Sequence, residues 1–90
     1  MVQSLVRKPT HPGEILLTEF MHPNRMTGVE LSKRIGVSNS HLSRVIRGYR
    51  PVSPALAHKL AKEFYTSINL WLNLQENYDR SVKSGLSKEP

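Results

Sequence analysis

Ninety residues, 38% of them hydrophobic, are enough for one small domain and too few for two. A chain of this mass buries roughly 64% of its unfolded surface when it folds, which supports a single apolar core. The absence of cysteine excludes disulfides, thiolate metal sites and a cysteine nucleophile. No 18 apolar residues run together, and the opening MVQSLVRKPTHPGE lacks the apolar stretch of a secretory signal. The chain therefore reads as cytoplasmic, with no membrane partner.

Thirteen Lys and Arg against seven Asp and Glu leave a net charge of +6, and the distribution is uneven. Residues 31–62 hold Lys33, Arg34, Arg44, Arg47, Arg50, Lys59 and Lys62 and no acid at all. A basic stretch of that length is the footprint expected of a polyanion partner, although a cationic soluble surface would have the same composition.

Taken in order, the punctuation predicts helices joined by short turns. Residues 1–10 read as a flexible arm, 11–83 as the folded domain and 84–90 as a flexible tail. Helix one is expected to begin at Pro12, because proline suits the first helical position. Glu14 favours the positive helix start, and Ile15, Leu16, Leu17, Phe20 and Met21 supply an apolar stripe. The triplet His22, Pro23 and Asn24 ends it. Thr27 and Glu30 have the spacing of a capping box and open helix two, which turns Leu31 and Ile35 inward and stops at Gly36. Ser38 is the N-cap candidate for helix three, ended by Gly48. Ser53 and Pro54 open helix four, with Leu56, Leu60, Ala61 and Phe64 inward. Ser67 caps a last helix carrying Trp71, Leu74 and Tyr78 on one face. No segment alternates with period two long enough to make a strand. The expected fold is all-α, a five-helix bundle.

Only Gly36 and Val37 separate helices two and three. So short a glycine turn forces a steep crossing, the form of a DNA-binding helix-turn-helix. The residue at such a crossing should be small, and Ser32 occupies it. On the wheel of helix three, Leu42, Val45 and Ile46 cluster on one side. Ser40, Ser43, Arg44 and Arg47 lie opposite, flanked by Asn39 and His41. Short polar side chains let a helix approach a groove, Arg can pair with guanine and Asn with adenine. Ser38 leaves backbone donors free for a phosphate.

The stretch TGVELSKRIGVSNSHLSRVIRG, residues 27–48, resembles the phage-repressor (Cro/XRE) helix-turn-helix. HPGEILLTEF before it and RPVSPALAHKLAKEFYTSINLWLNLQENYD after it are similar to HigA-type antitoxins, also known as virulence-associated protein I, so that the likeness covers residues 11–79. The HPGEIL and WLNLQ-x-x-YD segments are its specific marks. The resemblance implies that Ser38, Asn39, Ser40 and Arg44 read the groove, and that Thr27, Ser43, Arg47, Tyr49 and Arg50 lie near the DNA backbone. Ser32 departs from the alanine usual at the crossing, and Gly28 stands where many relatives carry glutamine. The resemblance further implies a cytoplasmic, nucleoid-associated homodimer on double-stranded operator DNA. Such a protein represses its own operon and neutralises a HigB-type toxin, a ribosome-dependent mRNA endonuclease. The alternative is a stand-alone transcriptional regulator with no toxin partner.

Other constellations carry less. No two of His11, His22, His41 and His58 stand four apart and there is no HExxH, so no metal or other cofactor is expected; His11 reads as part of a helix start. No GxSxG elbow, triad or paired carboxylates point to an enzyme. The last helix has more apolar surface than one monomer needs, which assigns Leu74 and Tyr78 to a dimer interface with Asn73, Gln75 and Asn77 as its polar edges. Glu14, Glu19, Glu76 and Asp79 offer a basic toxin the opposite charge.

Overall fold

A computed structural model of the chain describes residues 10–83, which form five helices and no strand. The arm expected at 1–10, apart from the exposed Thr10, and the tail at 84–90 lie outside the described residues. Helix α1 is α-helical over Pro12–Ile15 and π-helical over Leu16–Met21. It is followed by α2 (Gly28–Ile35), α3 (Asn39–Ile46), α4 (Pro54–Phe64) and α5 (Ile68–Lys83).

Every helix begins where a side chain can accept from a free backbone N–H. The His11 Nδ1 accepts from Gly13 at 2.9 Å, and the Oγ atoms of Ser38, Ser53 and Ser67 accept from His41, Leu56 and Leu70 at 3.1, 3.2 and 3.0 Å. At α2 both halves of the capping box form. Thr27 Oγ1 accepts from the Glu30 N–H, and the Glu30 carboxylate accepts from the Thr27 N–H. Caps of this kind stabilise a helix by about 1 kcal/mol each. At the other end, Gly36 closes α2 in the left-handed region, with φ 72°.

The second half of α1 departs from the α-helix expected there, for a reason visible in its burial. Leu16 and Met21 are both buried, yet five residues on an α-helix place them about 140° apart. Wider i→i+5 turns bring them nearly onto one face. His22 accordingly donates to the Leu17 carbonyl, and Met26 to that of Met21.

The core gathers residues from all five helices, with Leu16, Leu31, Leu42, Leu60 and Trp71 fully buried. Trp71 packs its ring 5.1 Å from Phe20 and donates through Nε1 to the Thr66 hydroxyl at 2.8 Å. Burying an indole of this size contributes about 5 kcal/mol. Helix α5 lies along α4 and touches α1, while α1 crosses the end of α3.

That last crossing is unusually close. A Cβ added at Gly13 would run into the Val45 carbonyl oxygen, and would lie 2.7 Å from its carbon and 2.9 Å from Ile46 Cα. All of those atoms are backbone, so nothing can rotate aside. Gly13→Ala should therefore push α1 off α3 and cost about 3 kcal/mol, lowering the melting temperature by on the order of 15 °C. Thermal melts followed by circular dichroism check this, and an unchanged midpoint would show that α1 can shift freely.

Candidate nucleic-acid interface

The turn between α2 and α3 is built by hydrogen bonds as well as by glycine. Gly36 and Val37 both donate to the Ser32 carbonyl, at 2.9 and 3.1 Å. Ser32 is buried at the crossing, and its hydroxyl donates back to the Val29 carbonyl at 2.8 Å. A polar atom thus sits at a tight contact with its bond satisfied, which explains why serine is accepted there.

Helix α3 is held from its inner side by Leu42 and Val45, both buried, and by the half-buried Ile46. Opposite them Asn39, Ser40, Arg44 and Arg47 are exposed, and His41 and Ser43 are half-buried. Among the described residues, the side chains of Asn39, Ser40, Ser43, Arg44 and Arg47 hydrogen-bond to nothing in the chain. Arg34 and Arg80, by contrast, are tied to Glu63 and Glu76 at 3.0 and 2.9 Å. The outward face of α3 therefore presents unspent donors and holds no carboxylate.

The remaining candidates surround that face. Thr27 and Ser38 are exposed and use their oxygens as caps, which leaves each hydroxyl proton free to donate outward. The two helix starts are neighbours, since a Cβ at Gly28 would lie 3.4 Å from Asn39 Oδ1. Beyond α3 the chain turns through Gly48, with φ 87°, and Tyr49 and Arg50 both donate from their backbones to the Arg44 carbonyl. Tyr49 is 77% exposed. Arg50 rests its guanidinium 3.5 Å from His41 Nδ1. Nine of the ten candidates from the sequence thus lie on α3 or on the segments at its two ends, and Thr27 stands at the neighbouring start of α2.

Two side chains have roles that the sequence did not disclose. Gln75, expected at the polar edge of an interface, is instead 8% exposed. Its oxygen accepts from the Val52 N–H at 2.8 Å and its nitrogen donates to Asp79 at 2.9 Å, so it fastens α5 to the loop before α4. Its position one turn after the buried Trp71 was the available signal. His11 does more than cap, since its ring meets that of Tyr78 edge-on at 4.8 Å. Burial holds its pKa below the usual 6.5, against the opposing pull of Asp79 and of a backbone hydrogen bond at Arg50.

Away from α3, a cleft of about 610 Å³ is lined by Arg34, Ile35, His58, Lys59, Lys62, Glu63 and Tyr65. It adds cationic surface and takes no residue from the outward face of α3. Among the described residues no cluster of His, Asp and Glu could hold a metal ion, and no helix is long and apolar enough to cross a membrane.

Two short helices crossing at a glycine turn, the second with a bare polar face, define a helix-turn-helix domain. The Helix-turn-helix family model matches residues 23–71, and the chain belongs to that family in its Cro/XRE form. The transcriptional regulator YbaQ of Escherichia coli K12 is 37% identical over 87% of this chain and 69% of its own length. Antitoxin HigA-1 of Vibrio cholerae is 34% identical over 81% of this chain and 69% of its own. Among solved structures, the Pseudomonas aeruginosa antitoxin HigA with higBA promoter superposes with a TM-score of 0.81 at 33% identity, covering 83% of this chain and 82% of that one. A HigA-family addiction module antidote protein from Coxiella burnetii gives 0.80 at 35% identity, covering 91% and 87%.

Proposed function

We propose that this protein is a DNA-binding antitoxin that represses its own operon and neutralises a HigB-type toxin. The observation that carries the DNA half is the outward face of α3, where Asn39, Ser40, Arg44 and Arg47 have no partner among the described residues. Unpaired donors on a rigid helix are available to base edges without first breaking an internal bond. Ser38 with Asn39, Ser40, Arg44 and His41 reads the major groove of double-stranded operator DNA. Thr27, Ser43, Arg47, Tyr49 and Arg50 hold the flanking phosphates. The structurally similar HigA from Pseudomonas aeruginosa was solved with its promoter DNA, which supports this reading.

Arg44→Ala should weaken operator binding by ~1–3 kcal/mol and relax base preference at one position. Arg47→Ala should instead weaken all sequences alike and flatten the dependence on log salt by about one unit. Fluorescence anisotropy on an operator library at two salt concentrations separates them. An Arg44→Ala protein with unchanged affinity and preference would mean that α3 is oriented differently on DNA.

One helix-turn-helix covers a small footprint, so tight binding calls for two recognition helices about 34 Å apart. In our reading the mate docks along α5. Leu70, Leu74 and Tyr78 recur every fourth residue there, the first exposed and the others half-buried, beside the buried Trp71 and Gln75. A two-fold axis lets such a stripe cover its own copy. Light scattering should give twice the chain mass at micromolar concentration, and Leu74→Glu should halve it. A wild-type monomer, both free and on DNA, would sink the dimer.

A basic toxin needs acidic surface away from α3. Glu76 is already tied to Arg80 and Asp79 accepts from Gln75, whereas Glu14 and Glu19 are exposed on α1 with no partner among the described residues. Those two carboxylates are the surface we assign to the toxin, and the protein acts in the cytoplasm at its operator on the nucleoid. Co-expression with the product of the adjacent gene should rescue growth, and Glu→Lys changes at 14 and 19 should weaken rescue while leaving operator affinity intact. Absence of an adjacent toxin gene would favour a stand-alone regulator.

A further inference from the structure

We infer that His11 is a positioning residue for the DNA-facing segment 48–50, and that through its ring this segment is mechanically tied to α5. The inference rests on the DNA-binding reading above and names the residue that holds one edge of that site in place. Four contacts converge on the one imidazole. Its Nδ1 accepts from the Gly13 N–H at 2.9 Å, which fixes it at the start of α1. Its ring lies over Gly48, where an added Cβ would sit 3.7–3.9 Å from Cβ, Cγ and Cδ2 of His11. The Arg50 backbone lies near enough to favour its protonated form. On its remaining side it meets the Tyr78 ring edge-on, with the Asp79 carboxylate close enough to act on its charge.

Segment 48–50 itself has few other anchors. Its backbone donates back to the last turns of α3, through Gly48 to Val45 and through Tyr49 and Arg50 to Arg44. Tyr49 is largely exposed, and among the described residues the Arg50 side chain reaches only the His41 ring. Packing that decides where Tyr49 and Arg50 point therefore comes from His11 below Gly48. The imidazole also has no room for a second proton. An Nδ1 that accepts from Gly13 would have to give up that bond on becoming a donor, in keeping with the lowered pKa. The charged group that faces it is Asp79 from α5, and burial outweighs that carboxylate and the Arg50 backbone together. Folded protein thus favours neutral His11. Its contribution to stability is complete above about pH 6.5 and is lost as the pH falls through that value, where the unfolded chain takes up the proton first.

His11→Asn in the full chain tests the assignment, because asparagine is itself a good N-cap and keeps the bond to Gly13 while removing the ring. Amide exchange at Tyr49 and Arg50 should quicken at least tenfold, while amides of the first turn of α1 stay slow. Affinity for operator and unrelated duplex alike should fall several-fold, with the salt dependence flatter by about one phosphate and base preference unchanged. The acid-side loss of melting temperature should shrink relative to wild type. Tyr78→Leu should move the same readouts in the same direction, and the double variant should do no more than either alone. If His11→Asn fails to fold, Tyr78→Leu carries the exchange measurement by itself, and its binding is read only on protein that light scattering shows to keep the wild-type mass.

Unchanged exchange at Tyr49 and Arg50 would overturn the inference, as would uniform loosening of the whole domain or faster exchange with wild-type DNA affinity. Failure of the wild-type protein to bind any duplex would overturn the DNA reading instead, and the exchange result would still show whether His11 holds the loop.

Discussion

The orientation of α3 depends on one backbone contact, the approach of Gly13 to Val45 and Ile46. No side chain separates α1 from the end of α3, so the first turn of one fixes the last turn of the other. Around that contact the two segments most specific to the HigA likeness meet. His11 caps α1 and packs on Tyr78; Asp79 accepts from Gln75; and Gln75 accepts from Val52. HPGE and WLNLQ-x-x-YD are therefore two halves of one clasp that closes the start of α1 onto α5. The residues marking the family here are structural ones that hold α3 and the segment after it from behind.

Behind and in front, α3 follows opposite rules. Its inner side is apolar and fully buried at Leu42 and Val45, and at the adjoining crossing the buried Ser32 hydroxyl is satisfied. The outer side leaves its polar atoms unsatisfied, which exposure to water makes tolerable. Helix starts serve both sides at once. The Oγ of Ser38 and of Thr27 completes the local backbone, and each hydroxyl still has a proton to give away. A face assembled this way is rigid before it meets a ligand, and it bears positive charge that no internal carboxylate neutralises.

Local signals were legible in the sequence because local chemistry makes them. The caps at Thr27, Ser38, Ser53 and Ser67, the stop at Gly36 and the polar side of α3 follow from residue type and a spacing of three or four. Long-range geometry left fainter traces. Gly13 gives no sign of its neighbour beyond being a glycine inside a first helical turn, where alanine would suit the helix better. The π-helical half of α1 arises because Leu16 and Met21 both face a core formed by other helices, so an α-helical wheel drawn for α1 alone misplaces one of them. Gln75 was read as a surface amide since its partner, the Val52 N–H, lies on a different element. Tyr78 gave no sign of its contact with the His11 ring for the same reason, since His11 stands at the start of α1.

The single tryptophan lies where these constraints join. Trp71 is completely buried, packed at a tilt against Phe20 of α1 and hydrogen-bonded to Thr66 ahead of α5. An indole in that setting emits from a dry, apolar site and shifts to the red once water reaches it. The chain thus contains its own optical gauge of whether α1 and α5 remain together. No second indole stands on the outward face of α3 to confuse the signal, so a change in emission on adding DNA would report strain transmitted to the clasp and not contact with a base.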